Sequence, residues 1–255
     1  MVRAVVGCVG VAMVSLTASD QRADAASVDR VEPAAGVGHL ERSPVWLRSS
    51  EKERPPVLVY PSTTAGKQPL VVMLHGMCDV PENECPSFAG AATGGKTLLC
   101  PQANLRCDGG GTLWSGDGAI RTRLLEDFVG RAAMALPDRV DLAGSSTLVG
   151  FSWGSFAALD VAQRTPGRWK NLILLGARLV PDAKKLREAG VENVVLGAGE
   201  HDMVKNHMVR VAGMLQAQGI RTTFISLGKV GHQFAPDMDA WLAGAFAWIE
   251  QRDAS

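Results

Sequence analysis

The feature that most constrains the fold is a regular alternation of short apolar runs with segments of helical period. Seven runs have the length and β-branched content of buried strands: residues 56–60, 69–76, 96–102, 146–151, 171–177, 193–199 and 221–228. Between them, apolar residues recur at three- and four-residue steps, as in the stripes Ile120-Leu124-Phe128-Ala132, Val204-Met208-Ala212-Leu215 and Met238-Trp241-Leu242-Ala245-Ile249. Strands that alternate with helices form parallel β-α-β units. The sequence therefore predicts an α/β fold with a mostly parallel central sheet and helices on both faces.

The N-terminal segment differs in composition from the rest of the chain. Residues 1–25 have a short basic start, an apolar run too short to span a bilayer, and a small-x-small site at "ADA". This pattern is typical of a signal peptide cleaved near Ala25, although a buried first strand or helix is an alternative. Residues 26–42 are a Pro/Gly/Ala-rich connector, and residues 43–255 form the predicted α/β domain. A signal peptide implies a secreted or periplasmic protein.

Composition argues against two classes of partner. Lys plus Arg is 26 and Asp plus Glu is 26, so the formal net charge is zero, and the chain has no basic block of the kind that binds nucleic acid. After the signal segment, no run is long and apolar enough to cross a membrane. We therefore expect no nucleic-acid partner and no stable membrane insertion.

Four cysteines follow the signal segment, namely Cys78, Cys85, Cys100 and Cys107. An even number in an exported protein predicts disulfides. The four form two close pairs, each flanking a loop, which favours Cys78 with Cys85 and Cys100 with Cys107; crossed pairings stay open because a sequence does not give connectivity. A zinc site is the competing interpretation, but the short cysteine spacing of a metal knuckle is absent.

A candidate nucleophile lies in "GFSWGS", residues 150–155, where an apolar run ends and a helical segment begins. A sharp strand-to-helix turn brings backbones close together, which requires glycine at Gly150 and Gly154 and pushes the Ser152 hydroxyl out of the sheet. Ser152 would also lie at a helix N-terminus, which favours negative charge. A chance match in a glycine-rich chain is the alternative.

A serine hydroxyl needs a base and an acid to become an effective nucleophile. His232 follows the last predicted strand and is the candidate base. Asp202 follows the penultimate strand and is the favoured acid, with Glu200 second and Asp237 third. The plainer interpretation of Glu200 and Asp202 is that they begin the next helix, where acidic residues suit the dipole.

Two further features concern the surroundings of the serine. The strand at 69–76 ends in His75-Gly76, so the Met77 N–H can join the Trp153 N–H as an oxyanion hole, with His75 in a structural role. The long loop after residues 96–102 contains Trp114, which we expect to form a substrate-binding wall of an open cleft bounded also by Trp153. The alternative is a solvated surface loop with Trp114 tucked into the core. The segment after residues 171–177 is too short for a lid.

These motifs resemble those of serine esterases of the α/β-hydrolase superfamily. The most similar group is the carboxylesterase/phospholipase group that includes acyl-protein thioesterases, with secreted polyhydroxybutyrate depolymerase-like and feruloyl esterases as near relatives. Its HG-x-G-D pattern is matched by "HGMCD" with Cys78 replacing the second glycine, and its GFS-x-GG pattern by "GFSWGS" with Ser155 replacing a glycine. "GEHD" matches the start of its acid motif, without the valine that follows, and Gly231-His232 matches its Gly-His pair.

The resemblance covers residues 55 to 250. It implies an α/β-hydrolase fold and a Ser152-His232-Asp202 triad that cleaves carboxylic esters through an acyl-enzyme, with Met77 and Trp153 amides as oxyanion donors and no cofactor or metal. The cysteines and the signal segment favour a secreted enzyme acting on small-molecule or polymeric esters. The alternatives are an acyltransferase, which would share every catalytic residue, and a non-catalytic binding protein on the same fold.

Overall fold

The computed structural model describes residues 30–33, 44–51 and 54–251. The predicted signal peptide, residues 1–25, lies outside the described residues, as does most of the connector. The strands are β1 Arg30–Pro33, β2 Val45–Arg48, β3 Val57–Tyr60, β4 Gln68–Leu74, β5 Thr97–Pro101, β6 Leu105–Arg106, β7 Thr112–Leu113, β8 Val140–Asp141, β9 Thr147–Phe151, β10 Asn171–Leu175, β11 Asn193–Ala198 and β12 Arg221–Ser226. The helices are α1 Pro81–Glu84, α2 Pro86–Thr93, α3 Gly118–Ala135, α4 Trp153–Ala162, α5 Ala183–Glu188, α6 Lys205–Ala217 and α7 Met238–Glu250.

The central sheet has the strand order β1-β2-β3-β5-β4-β9-β10-β11-β12, and the short β8 pairs with the start of β4. Each pair of neighbours from β5 to β12 along this order is parallel, whereas the pairs β1–β2, β2–β3 and β3–β5 are antiparallel. All seven predicted strands are present, as β3, β4, β5 and β9 to β12. The predicted α/β fold with a mostly parallel sheet is therefore confirmed.

Two hydrophobic cores cover the two faces of the sheet. In β4, Leu70, Val72 and Leu74 belong to one core, whereas Val71 and Met73 belong to the other, as the two-residue period of a strand requires. Helices α3, α4, α5 and α6 pack on the first face, and α2 and α7 pack on the second. A sheet buried on both faces explains why its strands are continuous apolar runs.

The connection that follows β10 is short at the point where a lid would be inserted. Residues 176–182 alone separate β10 from α5, which agrees with the expectation of no lid domain. None of the helices in the described ranges is long and apolar enough to span a membrane.

The disulfides confirm that the four cysteines are paired but correct the favoured pairing. Cys78 is bonded to Cys107 with Cα atoms 5.7 Å apart, and Cys85 is bonded to Cys100 with Cα atoms 6.1 Å apart. The two bridges are nested because β4 and β5 are adjacent parallel strands. The segments that follow their carboxyl ends therefore meet, and they contain Cys78 and Cys107.

Candidate active site

Ser152 occupies a strained turn between β9 and α4. Its φ is 51° and its ψ is −118°, in a region that side chains other than glycine seldom adopt. The Ser152 N–H donates to the Leu175 carbonyl oxygen at 2.8 Å, which fixes the turn against β10. The turn therefore places the hydroxyl at the carboxyl edge of the parallel strands, as predicted.

The glycines around Ser152 are required by close backbone contacts. A Cβ on Gly150 would collide with the Gly154 carbonyl oxygen, and a Cβ on Gly154 would collide with that of Leu74 in β4. Ser155, which stands where the resembled motif has glycine, is fully buried. Its Oγ lies 2.7 Å from the Gly150 carbonyl oxygen and accepts the Leu175 N–H at 3.0 Å, so the hydroxyl joins β9 to β10.

His232 lies after β12 and faces both of the other predicted residues. Its Nε2 is 2.9 Å from Ser152 Oγ, and its Nδ1 is 2.8 Å from Asp202 Oδ2. The imidazole stacks on Phe151 with the ring centroids 5.1 Å apart. A Cβ at Gly176 would lie 3.1 Å from His232 Cε1, so a larger residue there would crowd the ring. The His232 side chain is 47% exposed, so the site is open to solvent.

Asp202 contacts the ring nitrogen of His232 that faces away from Ser152. Its side chain is only 4% exposed, and its second oxygen, Oδ1, accepts the Val204 N–H at 3.0 Å. Of the other candidate acids, Glu200 is exposed and lies 3.4 Å from the Ser226 hydroxyl, whereas Asp237 accepts the Trp241 indole N–H. The structure thus brings Asp202, and neither alternative, to His232.

The loop after β4 passes directly beside Ser152. A Cβ built on Gly76 would lie 3.6 Å from Ser152 Cβ, so Gly76 is in contact with the serine. Met77 is the next residue along this loop. Within the described part of the chain, neither the Met77 N–H nor the Trp153 N–H donates a hydrogen bond. Neither amide is therefore committed to another partner, and their role as oxyanion donors stays a prediction.

His75 has the structural role expected for it. Its ring is buried, its Nδ1–H donates a hydrogen bond to the Gly76 carbonyl oxygen at 2.8 Å, and its Nε2 accepts the Ala103 N–H at 3.2 Å. Burial lowers the pKa of His75 below its usual value, which favours the neutral ring that these bonds need. His75 therefore connects the loop after β4 to the segment after β5.

The structure corrects the expectation that Trp114 forms a substrate-binding wall. Its side chain is 1% exposed, so the ring cannot contact a substrate directly. The indole N–H donates to the His75 carbonyl oxygen at 3.0 Å, and the ring packs edge-on against Phe128 of α3. The Trp114 carbonyl oxygen in turn accepts the Trp153 indole N–H at 3.0 Å. Trp114 therefore supports the site from within the core, and the half-buried Trp153 ring remains beside the serine.

This position predicts a large loss of stability for Trp114→Ala, because the change leaves a cavity in the core and an unpaired carbonyl. We expect the free energy of unfolding to fall by roughly 3–5 kcal/mol. Trp114→Phe retains most of the apolar contact and should lose only about 1–3 kcal/mol, mainly through the unpaired His75 carbonyl. Urea unfolding of both variants measures the effect, and an unchanged midpoint for Trp114→Ala would contradict the buried position.

One residue of the site region was not anticipated from the sequence. Glu84, at the end of α1, is buried, and its Oε1 accepts the Gly76 N–H at 2.9 Å. Its Oε2 is buried without a hydrogen-bond partner. The pKa of Glu84 is raised to about 8, mainly by burial and also by the negative charge of Asp79, and the hydrogen bond from the Gly76 N–H offsets part of this rise. Glu84 is therefore mainly protonated at neutral pH. Nothing in the local pattern distinguishes it from the exposed Glu82.

The raised pKa of Glu84 predicts that stability falls as the pH rises. The folded protein binds this proton more tightly than the unfolded chain, so its contribution is complete below pH 4.5 and is lost as the pH passes through about 8. The loss is on the order of 3–5 kcal/mol. Glu84→Gln keeps an acceptor for Gly76 and does not titrate, so its stability should change less between pH 5 and pH 9. Equal pH slopes of unfolding for the two proteins would contradict this assignment.

The three side chains form an arrangement suited to acyl transfer. A hydroxyl that is hydrogen-bonded to an imidazole can transfer its proton to the ring as the oxygen attacks a carbonyl carbon. A carboxylate that is hydrogen-bonded to the other ring nitrogen stabilises the resulting imidazolium. In the described ranges, no group of three or more His, Cys, Asp or Glu side chains is positioned to hold a metal ion.

Comparison with known proteins relates the fold to solved esterase structures. No protein-family model matches the chain, and no curated protein matches its sequence. Among solved structures, an S-formylglutathione hydrolase from Agrobacterium tumefaciens aligns with a TM-score of 0.63 at 14% identity, over 85% of this chain and 98% of that one. A carboxylesterase from Mesorhizobium loti aligns with a TM-score of 0.60 at 18% identity, over 77% and 96%.

The esterase PE8 is a third structural neighbour, with a TM-score of 0.53 at 22% identity, over 76% of this chain and 96% of that one. These identities are low, so the likeness shows the fold and not the activity. The fold is the α/β-hydrolase fold, as the resemblance of the motifs implied.

Proposed function

We propose that the protein is a serine hydrolase that cleaves carboxylic esters, with Ser152 as nucleophile, His232 as general base and Asp202 as the acid that orients it. The single observation that carries the proposal is the continuous series from Ser152 Oγ to His232 Nε2 at 2.9 Å and from His232 Nδ1 to Asp202 Oδ2 at 2.8 Å. Three side chains from three distant segments meet in the order that this chemistry needs. The fold shared with solved esterases and carboxylesterases supports the same activity.

In the proposed reaction, Ser152 Oγ attacks the ester carbonyl while His232 Nε2 accepts its proton. The carbonyl oxygen becomes an oxyanion that the Met77 and Trp153 N–H groups stabilise. Collapse of this intermediate breaks the ester C–O bond, and His232 returns the proton to the departing alcohol. Water, deprotonated by His232, then attacks the acyl carbonyl carbon. The C–O bond to Ser152 breaks, His232 returns the proton to Ser152 Oγ, and the carboxylic acid leaves the free enzyme.

We propose small, short-chain esters as the substrate class. The connection after β10 is too short for a lid, and the exposed His232 gives substrates direct access. The exposed Met77 side chain beside the site offers an apolar surface to a short acyl or alcohol group. Such a site requires no lipid–water interface for opening.

We further propose that the protein is secreted or periplasmic. Disulfides form and persist in oxidising compartments, and the described part of the chain contains two. The signal-like composition of residues 1–25 supports the same location.

The decisive experiment combines a fluorophosphonate probe, peptide mapping and a panel of p-nitrophenyl esters from acetate to palmitate. We expect the probe to label Ser152 and the fastest turnover to occur with the short esters, with no jump in rate above the micelle threshold. A folded protein that hydrolyses no ester and takes no label on Ser152 would refute the proposed function. Label on Ser152 without hydrolysis, but with acyl transfer to an added alcohol, would instead identify an acyltransferase.

A further inference from the structure

The backbone beside the proposed oxyanion hole is strained at Cys78, the residue after Met77. Cys78 has a φ of 55°, and among the described residues Ser152 is the only other non-glycine with a positive φ. Side chains avoid this region because Cβ approaches the following carbonyl oxygen, whereas glycine adopts it freely. Cys78 also stands where the resembled HG-x-G-D pattern has glycine. Contacts from outside the residue must therefore hold its conformation.

Those contacts come from the hairpin formed by β6 and β7. Its turn contains Cys107, which is bonded to Cys78. On the next residue, the Asp79 carbonyl oxygen accepts the Thr112 N–H at 2.9 Å. The hairpin also approaches so closely that a Cβ at Gly111 would collide with the Cys78 carbonyl oxygen. The loop after β4 is thus fastened to the hairpin at two successive residues.

We propose that the Cys78–Cys107 disulfide is a positioning element of the oxyanion hole: it holds Cys78 in the left-handed conformation that keeps the preceding Met77 N–H directed at Ser152. When the bond is broken, Cys78 relaxes towards negative φ and displaces the Met77 amide. Turnover then falls although the fold remains. This inference rests on the proposed ester hydrolysis and concerns the residues that support its transition state.

The two disulfides differ in their access to a reductant. Cys78 is exposed and Cys107 is partly exposed, whereas Cys85 and Cys100 are buried. Limiting dithiothreitol should therefore open the Cys78–Cys107 bond first, oxidising the reagent and leaving two thiols. We expect kcat to fall at this stage while the circular dichroism spectrum is unchanged, and to recover on reoxidation.

A matched pair of double variants tests the proposal without a reductant. Cys78→Ser/Cys107→Ser and Cys78→Gly/Cys107→Ser both lack the disulfide, but only the second has a residue that adopts positive φ without strain. We expect kcat of the serine form to fall about 100-fold, as for the loss of one oxyanion donor, with KM little changed. The glycine form should keep kcat within about 10-fold of the unmodified protein.

Two results would overturn the proposal. Full activity in both double variants would show that the disulfide has no part in positioning, and equal loss in both, with folding intact, would show that the Cys78 conformation is not what matters. Hydrogen exchange of residues 76–79 reports loop order independently of catalysis, and it should increase more in the serine form. If the unmodified protein itself hydrolyses no ester, the proposed function fails instead, and hydrogen exchange still tests the tether.

Discussion

Ser152→Ala is expected to abolish ester hydrolysis and fluorophosphonate labelling while leaving the fold intact. The hydroxyl is the only group of Ser152 that faces His232, and alanine removes it without adding volume. The Ser152 N–H, which joins the turn to Leu175, is retained. We expect kcat to fall on the order of 10⁴-fold or more, because the variant keeps only the stabilisation by oxyanion donors and binding.

The control for this prediction is the double variant Ser152→Ala/His232→Ala. Residues that act as one unit lose activity non-additively, so the double variant should be no worse than Ser152→Ala alone. Thermal unfolding measured on the same samples establishes that both are folded. Substantial hydrolysis by folded Ser152→Ala would show that another residue carries the reaction.

The fold was predictable because a sheet buried on both faces leaves a strong sequence pattern. All seven apolar runs are strands, and the residues that begin and end them are nearly those expected. The strands β1 and β2 were not predicted. β1 lies in the segment interpreted as a connector, and β2, which lies between β1 and β3 in the sheet, has only four residues and so shows no clear period.

Helix faces were less predictable than strands. In α3 the stripe that began at Ile120 was expected to face the core, but Ile120 is exposed and the buried residues include Leu125, Phe128 and Val129. Four-residue steps drift around a helix of 3.6 residues per turn, so the first member of a long stripe leaves the buried face. The helices α1 and α2 were missed because, with four and eight residues, they are too short to show a helical period.

The residues of the candidate site that directly follow a strand could be predicted from the sequence. Ser152, Asp202 and His232 each follow a parallel strand, and the carboxyl ends of such strands share one edge of the sheet. The supporting residues carry no such signal. Trp114 is in a glycine-rich segment that gives no indication of burial, and the partner of each cysteine depends on strand order, which sequence spacing does not encode.

Asp202→Asn should lower kcat by about 10⁴-fold with little change in stability, because it moves the proton of the neutral His232 ring from Nδ1 to Nε2. Asp202 Oδ1 accepts the Val204 N–H, so an asparagine would keep its oxygen there and direct its NH₂ group at His232 Nδ1. An NH₂ group donates a hydrogen bond, which requires Nδ1 to be the unprotonated acceptor. The proton then lies on Nε2, which can no longer accept one from Ser152.

Glu200→Gln is the matched control, since it makes the same chemical change two residues away on an exposed side chain that faces Ser226 rather than His232. Its kcat should stay within about 3-fold of the unmodified value, as expected for a residue outside the series that includes the nucleophile. The rates of both variants with p-nitrophenyl acetate, measured from pH 6 to pH 10, decide between the two acids. If Glu200→Gln loses activity and Asp202→Asn does not, the 2.8 Å contact between Asp202 and His232 is not the one that orients the base.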